Sequence, residues 1–521
     1  MPTRLFRSSP LWLSVLALAA CGTTHSDTFD GDDDVANAGD VSGSGGAPVA
    51  SGSGATGGGV AGADSNAGET YAEVEENEWV DTATENMSTF GVDVDTASYS
   101  LMRRDLTAGR LPVPAGVRPE EFLNYFTYDY AEPQDGVPFA VYLDGAPSPF
   151  GENAHLVRVG LQGKRIAAAN RKAMNLVFLV DVSGSMMDAN KLGLVQYTLK
   201  QLVRRLEPTD KLSIVTYAGN PSVVIAPTPV TSKASLLDAI DSLSTGGGTN
   251  GEGGIRAAYQ LAEAGKMDGA ESRVVLCTDG DFNIGLTGAE LTALMEQERE
   301  KGITLSAFGF GSGNYNDAQM QELADKGNGN YAYIDGPGEA NRVLGEKLVS
   351  TLQVIAKDVK VQVEFDASVV RRYRLIGYEN RVLDNEDFTD DEKDAGELGA
   401  GHSVTAFYEV ELSEPTRAAT AVPDLLANVH FRYKLPELDA STQIDAPLGL
   451  GVLSPTFAAA PTSLKWAAGV AEFAEILRRS KHSTGARFTE VEAILQANVQ
   501  GATDRTELLG LVPLAKQLWQ P

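Results

Sequence analysis

Five oxygen-bearing side chains stand out for the chemistry their types and spacing allow. The run Asp181-Val182-Ser183-Gly184-Ser185-Met186 aims one carboxylate and two hydroxyls at a common point within a glycine-containing turn. Farther along, Gly246-Gly247-Gly248-Thr249-Asn250-Gly251 offers the Thr249 hydroxyl among glycines that permit close backbone approach, and Cys277-Thr278-Asp279-Gly280 adds a second carboxylate. Hard oxygen donors with only two carboxylates suit Mg2+, which keeps several waters in near-octahedral geometry. A Ca2+ cage wants more carboxylates, and zinc wants nitrogen and sulfur. An Asp-x-Ser-x-Ser run alone is a weak signal, because serines beside aspartate are common helix caps and turn residues. It gains weight from Thr249 and Asp279 in the same order along the chain.

The elements around these residues can position them. Leu176–Val180 reads as a buried strand leading into Asp181, and Leu192, Val195, Leu199, Leu202 and Leu206 follow at helical spacing. Strands are expected at Leu212–Tyr217, Val223–Ala226, Val274–Cys277, Ile303–Phe310 and Tyr331–Ile334, with helices between them near Leu236–Leu243, Ile255–Ala264, Glu290–Lys301, Asn316–Lys326 and up to about Leu352. Apolar strands alternating with helices predict a mostly parallel, doubly wound sheet. Ligands of such sheets bind beyond the carboxyl ends of the strands, where all three loops fall.

This pattern resembles the von Willebrand factor type A domain and its metal-ion-dependent adhesion site. The resemblance implies that Ser183, Ser185 and, in some states, Thr249 bind the metal directly, and that Asp181 and Asp279 act directly or through water. It implies Mg2+, with Mn2+ or Ca2+ as alternatives, and an open position for the acidic side chain of a partner protein. Beyond residue 85 the order of segments is similar to YfbK-type bacterial lipoproteins. Asp93-Val94-Asp95-Thr96-Ala97-Ser98-Tyr99 and Arg374-Leu375-Ile376-Gly377-Tyr378-Glu379-Asn380-Arg381 carry that second likeness. The expected function is non-catalytic protein binding. The rival is a metal-dependent envelope hydrolase, for which only His155 and His402 offer a base from the flanks.

Among 521 residues, 42 Lys and Arg stand against 71 Asp and Glu, a formal net charge of -29, so nucleic acid is excluded as a partner on electrostatic grounds. Glycines 246 to 248 lack the trailing lysine of a phosphate loop, which argues against nucleotide. Arg4 and Arg7 precede the apolar run Leu11–Ala20, long enough for an export signal and too short to span a bilayer. Small residues before Cys21 resemble a bacterial lipobox and imply that Cys21 is lipidated, anchoring the chain in the cell envelope. Gly22 and Thr23, lacking an aspartate that retains lipoproteins in the inner membrane, favour the outer membrane, on its periplasmic or surface face. The Gly-, Ser- and Asp-rich stretch that follows cannot bury a core and reads as a tether with an r.m.s. reach of roughly 40 Å.

The expected organisation is a signal peptide at 1–20, Cys21 and tether at 21–84, and an N-terminal flank at 85–173. The von Willebrand A domain takes 174–354, a β-rich flank 355–440 and C-terminal helices 441–521. The fold class is thus α/β: a doubly wound, Rossmann-like domain inserted in one β-rich domain, with terminal helices. Five further expectations follow. Segment 174–352 folds alone; Asp95 caps a helix; Tyr125, Phe126, Tyr128 and Tyr130 anchor the flank on the central sheet; the acidic stretch Asp384–Glu397 is a solvated loop; and Asp181→Ala leaves metal-free unfolding nearly unchanged.

Overall fold

The computed structural model describes residues 68–248, 250–280, 282, 285, 286, 288–414, 416 and 425–520. The export segment 1–20, Cys21, the stretch up to 67 and Thr249 lie outside the described residues. The N-terminal flank comprises β1 (Val80–Asp81), β2 (Met87–Gly91), α1 (Ala97–Thr107), α2 (Pro119–Tyr125), β3 (Phe139–Pro147) and β4 (Ala154–Gly163). The α/β unit runs β5 (Met174–Asp181), α3 (Leu192–Arg205), β6 (Lys211–Tyr217), β7 (Ser222–Pro229), α4 (Lys233–Asp241), α5 (Gly251–Gly265), β8 (Glu271–Thr278), α6 (Gly288–Glu300), β9 (Ile303–Phe310), α7 (Asp317–Lys326), β10 (Tyr331–Ile334), α8 (Pro337–Asn341) and α9 (Leu348–Leu352). A π turn, Arg342–Glu346, joins the last two helices. Then come β11 (Val354–Phe365), β12 (Val370–Ile376), β13 (Val382–Leu383), β14 (Gly396–Gly399), β15 (Ser403–Leu412), β16 (Ala427–Lys434), β17 (Ser441–Leu448), α10 (Thr462–Leu477), α11 (Phe488–Asn498) and α12 (Thr503–Leu518).

The central sheet has the order β10-β9-β8-β5-β6-β7 and is parallel except at β6–β7. β5 is buried along its whole length, because helices cover both of its faces, and this is why it reads as one apolar run. Leu176, Phe178 and Val180 pack with α3, α4 and α9, while Val177 and Leu179 pack with α5 and α7. The chain leaves β5 for β6 on one side and later returns as β8 on the other, so the loops after β5 and β8 flank a switch point of strand order.

The second face of this sheet is completed from outside the unit. Ala97 and Leu101 of α1 are fully buried in its core beside Tyr331 and Leu323. Arg118, at the start of α2, makes a two-pronged ion pair with Asp317 of α7 (2.7 and 3.0 Å), and both side chains are buried. Segment 174–352 therefore shares part of its helical layer with the N-terminal flank.

Two antiparallel sheets, β1-β12-β15-β4-β3 and β13-β2-β11-β16-β17, enclose a core that includes Phe90, Val159, Val361, Tyr408 and Phe431. Each sheet mixes strands from before and after the α/β unit: Val361 pairs with Phe90, and Ala406 with Val159. The two flanks thus build one β-rich sandwich of two sheets, as the insertion of the α/β unit into a single β-rich domain leads one to expect. The strand content also extends past 440, since β17 pairs with β16 along its length. Its alternation is muted because β17 is a polar edge strand.

The outer face of β15 and β4 is covered by α10 to α12 and α2, in a cluster built on Trp466, Phe473, Phe122 and Phe126. Tyr125, Phe126, Tyr128 and Tyr130 are all buried in this cluster, so they anchor the terminal helices more than the central sheet. The acidic stretch is folded in as well: Phe388 is buried, and β14 pairs with β11. Order also begins earlier than residue 85. The Glu69 carboxylate, fully buried, pairs with Arg104 at 2.7 Å, and Thr70 exchanges backbone hydrogen bonds with Tyr315 and Asp317.

Candidate metal site

Asp181 ends β5, and its carboxylate organises the turn that follows. Oδ1 accepts the Ser183 backbone N–H at 2.8 Å, while Oδ2 accepts the hydroxyls of Thr278 (2.9 Å) and Tyr217 (3.0 Å) from the ends of the two neighbouring strands. Burial pushes the Asp181 carboxyl above its usual range; the Ser183 and Thr278 donors offset part of this, and the charge of Asp279 adds to it. The Ser183 and Ser185 hydroxyls lie 2.9 Å apart, with Ser183 buried and Ser185 exposed. Met187, 74% exposed, forms an apolar rim beside them.

Asp279, one residue past β8, is fully buried. Its Oδ2 accepts hydrogen bonds from Lys191 Nζ (3.0 Å) and Asn314 Nδ2 (3.1 Å), and Oδ1 has no hydrogen-bond donor among the described residues. Leaving a buried carboxylate oxygen without a donor costs on the order of 1–3 kcal/mol. A divalent cation on that oxygen would remove the penalty, so the residues fit a hard metal ion. Among the described residues no three carboxylate, imidazole or thiolate side chains form a cage; two carboxylates and two hydroxyls form the donor set, and Thr249 lies outside those residues. That set matches Mg2+ better than a softer ion.

Two glycines let the loops close in. Gly280 has φ +93°, and a Cβ there would lie 2.4 Å from the Asn316 backbone nitrogen. At Gly311 (φ +77°) a Cβ would lie 2.4 Å from Lys191 Cγ, so this glycine admits the lysine stem.

Lys191, Asn314, Tyr217 and Thr278 are the site residues that sequence reading missed. Lys191 carried a usable signal: a lysine immediately before a helix opposes the helix dipole and calls for a local anion. Asn314, in the loop after β9, carried none. Asp95 proves not to be a cap: its Oδ1 accepts the Tyr331 backbone N–H at 2.7 Å, stitching the segment before α1 to β10, and Thr96 at the cap position makes no capping bond.

Residues 175–342 match the von Willebrand factor type A domain, residues 350–518 the C-terminal part of the uncharacterized protein YfbK, and residues 65–158 a segment described as von Willebrand factor. Fold and sequence together define a von Willebrand factor type A domain protein. The chain is 37% identical over 470 residues to the uncharacterized protein YfbK of Escherichia coli (strain K12), spanning 85% of this chain and 80% of that one. It belongs to the YfbK family. An uncharacterized protein of Synechocystis is 30% identical over 196 residues, 38% of this chain and 45% of that protein. Among solved structures, a von Willebrand factor type A protein from Catenulispora acidiphila aligns with a TM-score of 0.40 at 17% identity, covering 75% of this chain and 88% of that one.

Proposed function

We propose that this protein is a lipid-anchored binding module of the bacterial envelope, with Cys21 as its anchor, holding an acidic group of a partner protein through Mg2+. Ser183, Ser185, Thr249 and Asp279 hold the ion. Asp181, whose two oxygens already accept three hydrogen bonds, organises the turn and acts on the ion through water. Asp279 Oδ1, buried without a donor among the described residues, is the observation that carries this reading. The bound ion supplies a Lewis-acidic position for a carboxylate oxygen. Lys191 favours the same outcome: its ammonium beside two carboxylates and a divalent ion leaves a local net positive charge, which an anionic partner neutralises. Met187 adds an adaptable apolar contact at the rim.

The hydrolase reading lacks support from either histidine. His402 lines a cavity together with Asn330 and Tyr331 at the start of β10, hence at the edge of the sheet opposite Asp181 and Asp279, and His155 lies in β4 of the sandwich. The test is capture from envelope extracts by the full chain in Mg2+ and in EDTA. Proteins retained in Mg2+, released by EDTA and absent with Ser185→Ala support the reading; retention unaffected by EDTA and by Ser185→Ala contradicts it. Cys21→Ala releases the protein from membranes if the anchor is as proposed.

A further inference from the structure

At the sheet edge opposite the metal residues, a cavity of about 700 Å³ opens where the α/β unit meets both flanks. That volume lies within the range of small-molecule sites. Its walls include the start of β10, the π turn with α9, the segment before β5 and the residues just before β15.

In a chain rich in carboxylates, this cavity collects cations: Arg165, Arg171, Arg205, Arg342 and Lys347 line it, against the single carboxylate of Glu346. Three of the five are already committed, Arg165 to Glu132, Arg171 to Asp210 and Arg342 to Glu339. The side chains of Lys347 and Arg205 have no hydrogen-bond or ion-pair partner among the described residues. Lys347 sits at the end of the π turn, a costly helical irregularity that clusters at functional sites, and its backbone N–H bonds back to the Arg342 carbonyl at 2.9 Å. Burial and the neighbouring Arg342 charge pull its ammonium down to about 7. Across the cavity His402 is held neutral, at about 3, by burial and by Lys347 and Arg342, and its buried Nδ1 has no partner among the described residues. Retaining an uncompensated cation here costs stability, and a bound anion would remove that cost. Val94, Ile166 and Val343 add an apolar wall.

We propose that this cavity binds a small phosphate ester, with Lys347 and Arg205 taking the phosphate and the apolar wall taking the organic part. Arginine and lysine are the usual partners of phosphate oxygens. The site is independent of the metal site, and its test is run in EDTA so that the two stand or fall separately.

The experiment is thermal unfolding of the full chain in EDTA with glycerol phosphate, with vesicles containing phosphatidic acid, or with equimolar chloride. Stabilisation by glycerol phosphate assigns a soluble phosphate ester, and stabilisation by the vesicles alone assigns a lipid headgroup; both support the site. Lys347→Met is expected to unfold at a higher temperature than wild type without phosphate and to lose the phosphate response. Arg205→Gln, on the exposed rim, is expected to weaken the response about tenfold. No shift of the wild type with either phosphate probe at millimolar concentration, or a response in Lys347→Met equal to wild type, would overturn the proposal.

Discussion

At the scale of single residues, the site divides its labour by how many donors each carboxylate already serves. Asp181 accepts hydrogen bonds from buried Thr278 and Tyr217, so Asp181→Ala strands two buried hydroxyls. It is expected to lower metal-free stability by about 1–3 kcal/mol in denaturant titrations, against the sequence-based expectation of no change. Lys191 repels any ion on Asp279 at short range, and Lys191→Met is therefore expected to tighten Mg2+ binding about tenfold by calorimetry. Weaker binding would mean that the lysine matters more for orienting Asp279. A third residue contributes to pH dependence. Burial and the charge of Asp394 push the Glu397 carboxyl from 4.5 up to about 8, against opposing pulls from Lys357, Asn328 and Arg273. Because the folded state holds this proton more tightly than the unfolded chain, its contribution is complete below about pH 4.5 and is lost as pH rises through about 8. Glu397→Gln is expected to unfold at a higher temperature than wild type above pH 8 and to match it in acid. The turn that brings Asp181, Ser183 and Ser185 together was legible because its strand, glycine and hydroxyl spacing lie in one contiguous run. Asn314 was not, because its meaning arises only when the loops after β8 and β9 meet, and Lys191 only hinted at its role by opposing the helix dipole.

At the scale of elements, the α/β unit was readable because fully buried parallel strands give unbroken apolar runs and their helices give three-and-four spacing. β16 was readable for a different reason: Ala427, Val429, Phe431 and Tyr433 are buried in strict alternation with more exposed neighbours. β17 and the segment 68–84 were misread because their anchoring is polar. Glu69, Glu76 and Glu78 look like tether charges, yet they meet Arg104, Ser480 and Lys481. The same polar anchoring clamps the flank to the central unit at Arg118 and Asp317, where the Tyr331 hydroxyl also donates to Asp317 at 2.7 Å. Asp317→Ala leaves the buried guanidinium with only Glu121 as its ion-pair partner among the described residues, and is expected to cost about 3 kcal/mol by denaturant unfolding. A loss well under 1 kcal/mol would show that the apolar contacts of α1 alone hold the flank in place.

At the scale of the whole molecule, the sandwich and helices brace a von Willebrand A unit whose proposed metal residues lie at one end of its sheet and whose cationic cavity lies at the other. The chain passes the metal edge on entering the fold: Glu69 accepts the Gly313 N–H at 3.0 Å, next to Asn314, which holds Asp279. No helix among the described residues is long and apolar enough to cross a membrane. The central claim is that these residues bind a divalent ion for recognition, and calorimetric titration of Mg2+ into the metal-stripped full chain tests it most directly. The expected result is one saturable ion per chain, lost in Ser185→Ala even though that exposed hydroxyl contributes little to folding. Equal Mg2+ binding by wild type and Ser185→Ala, or no binding by either at millimolar Mg2+, would contradict it.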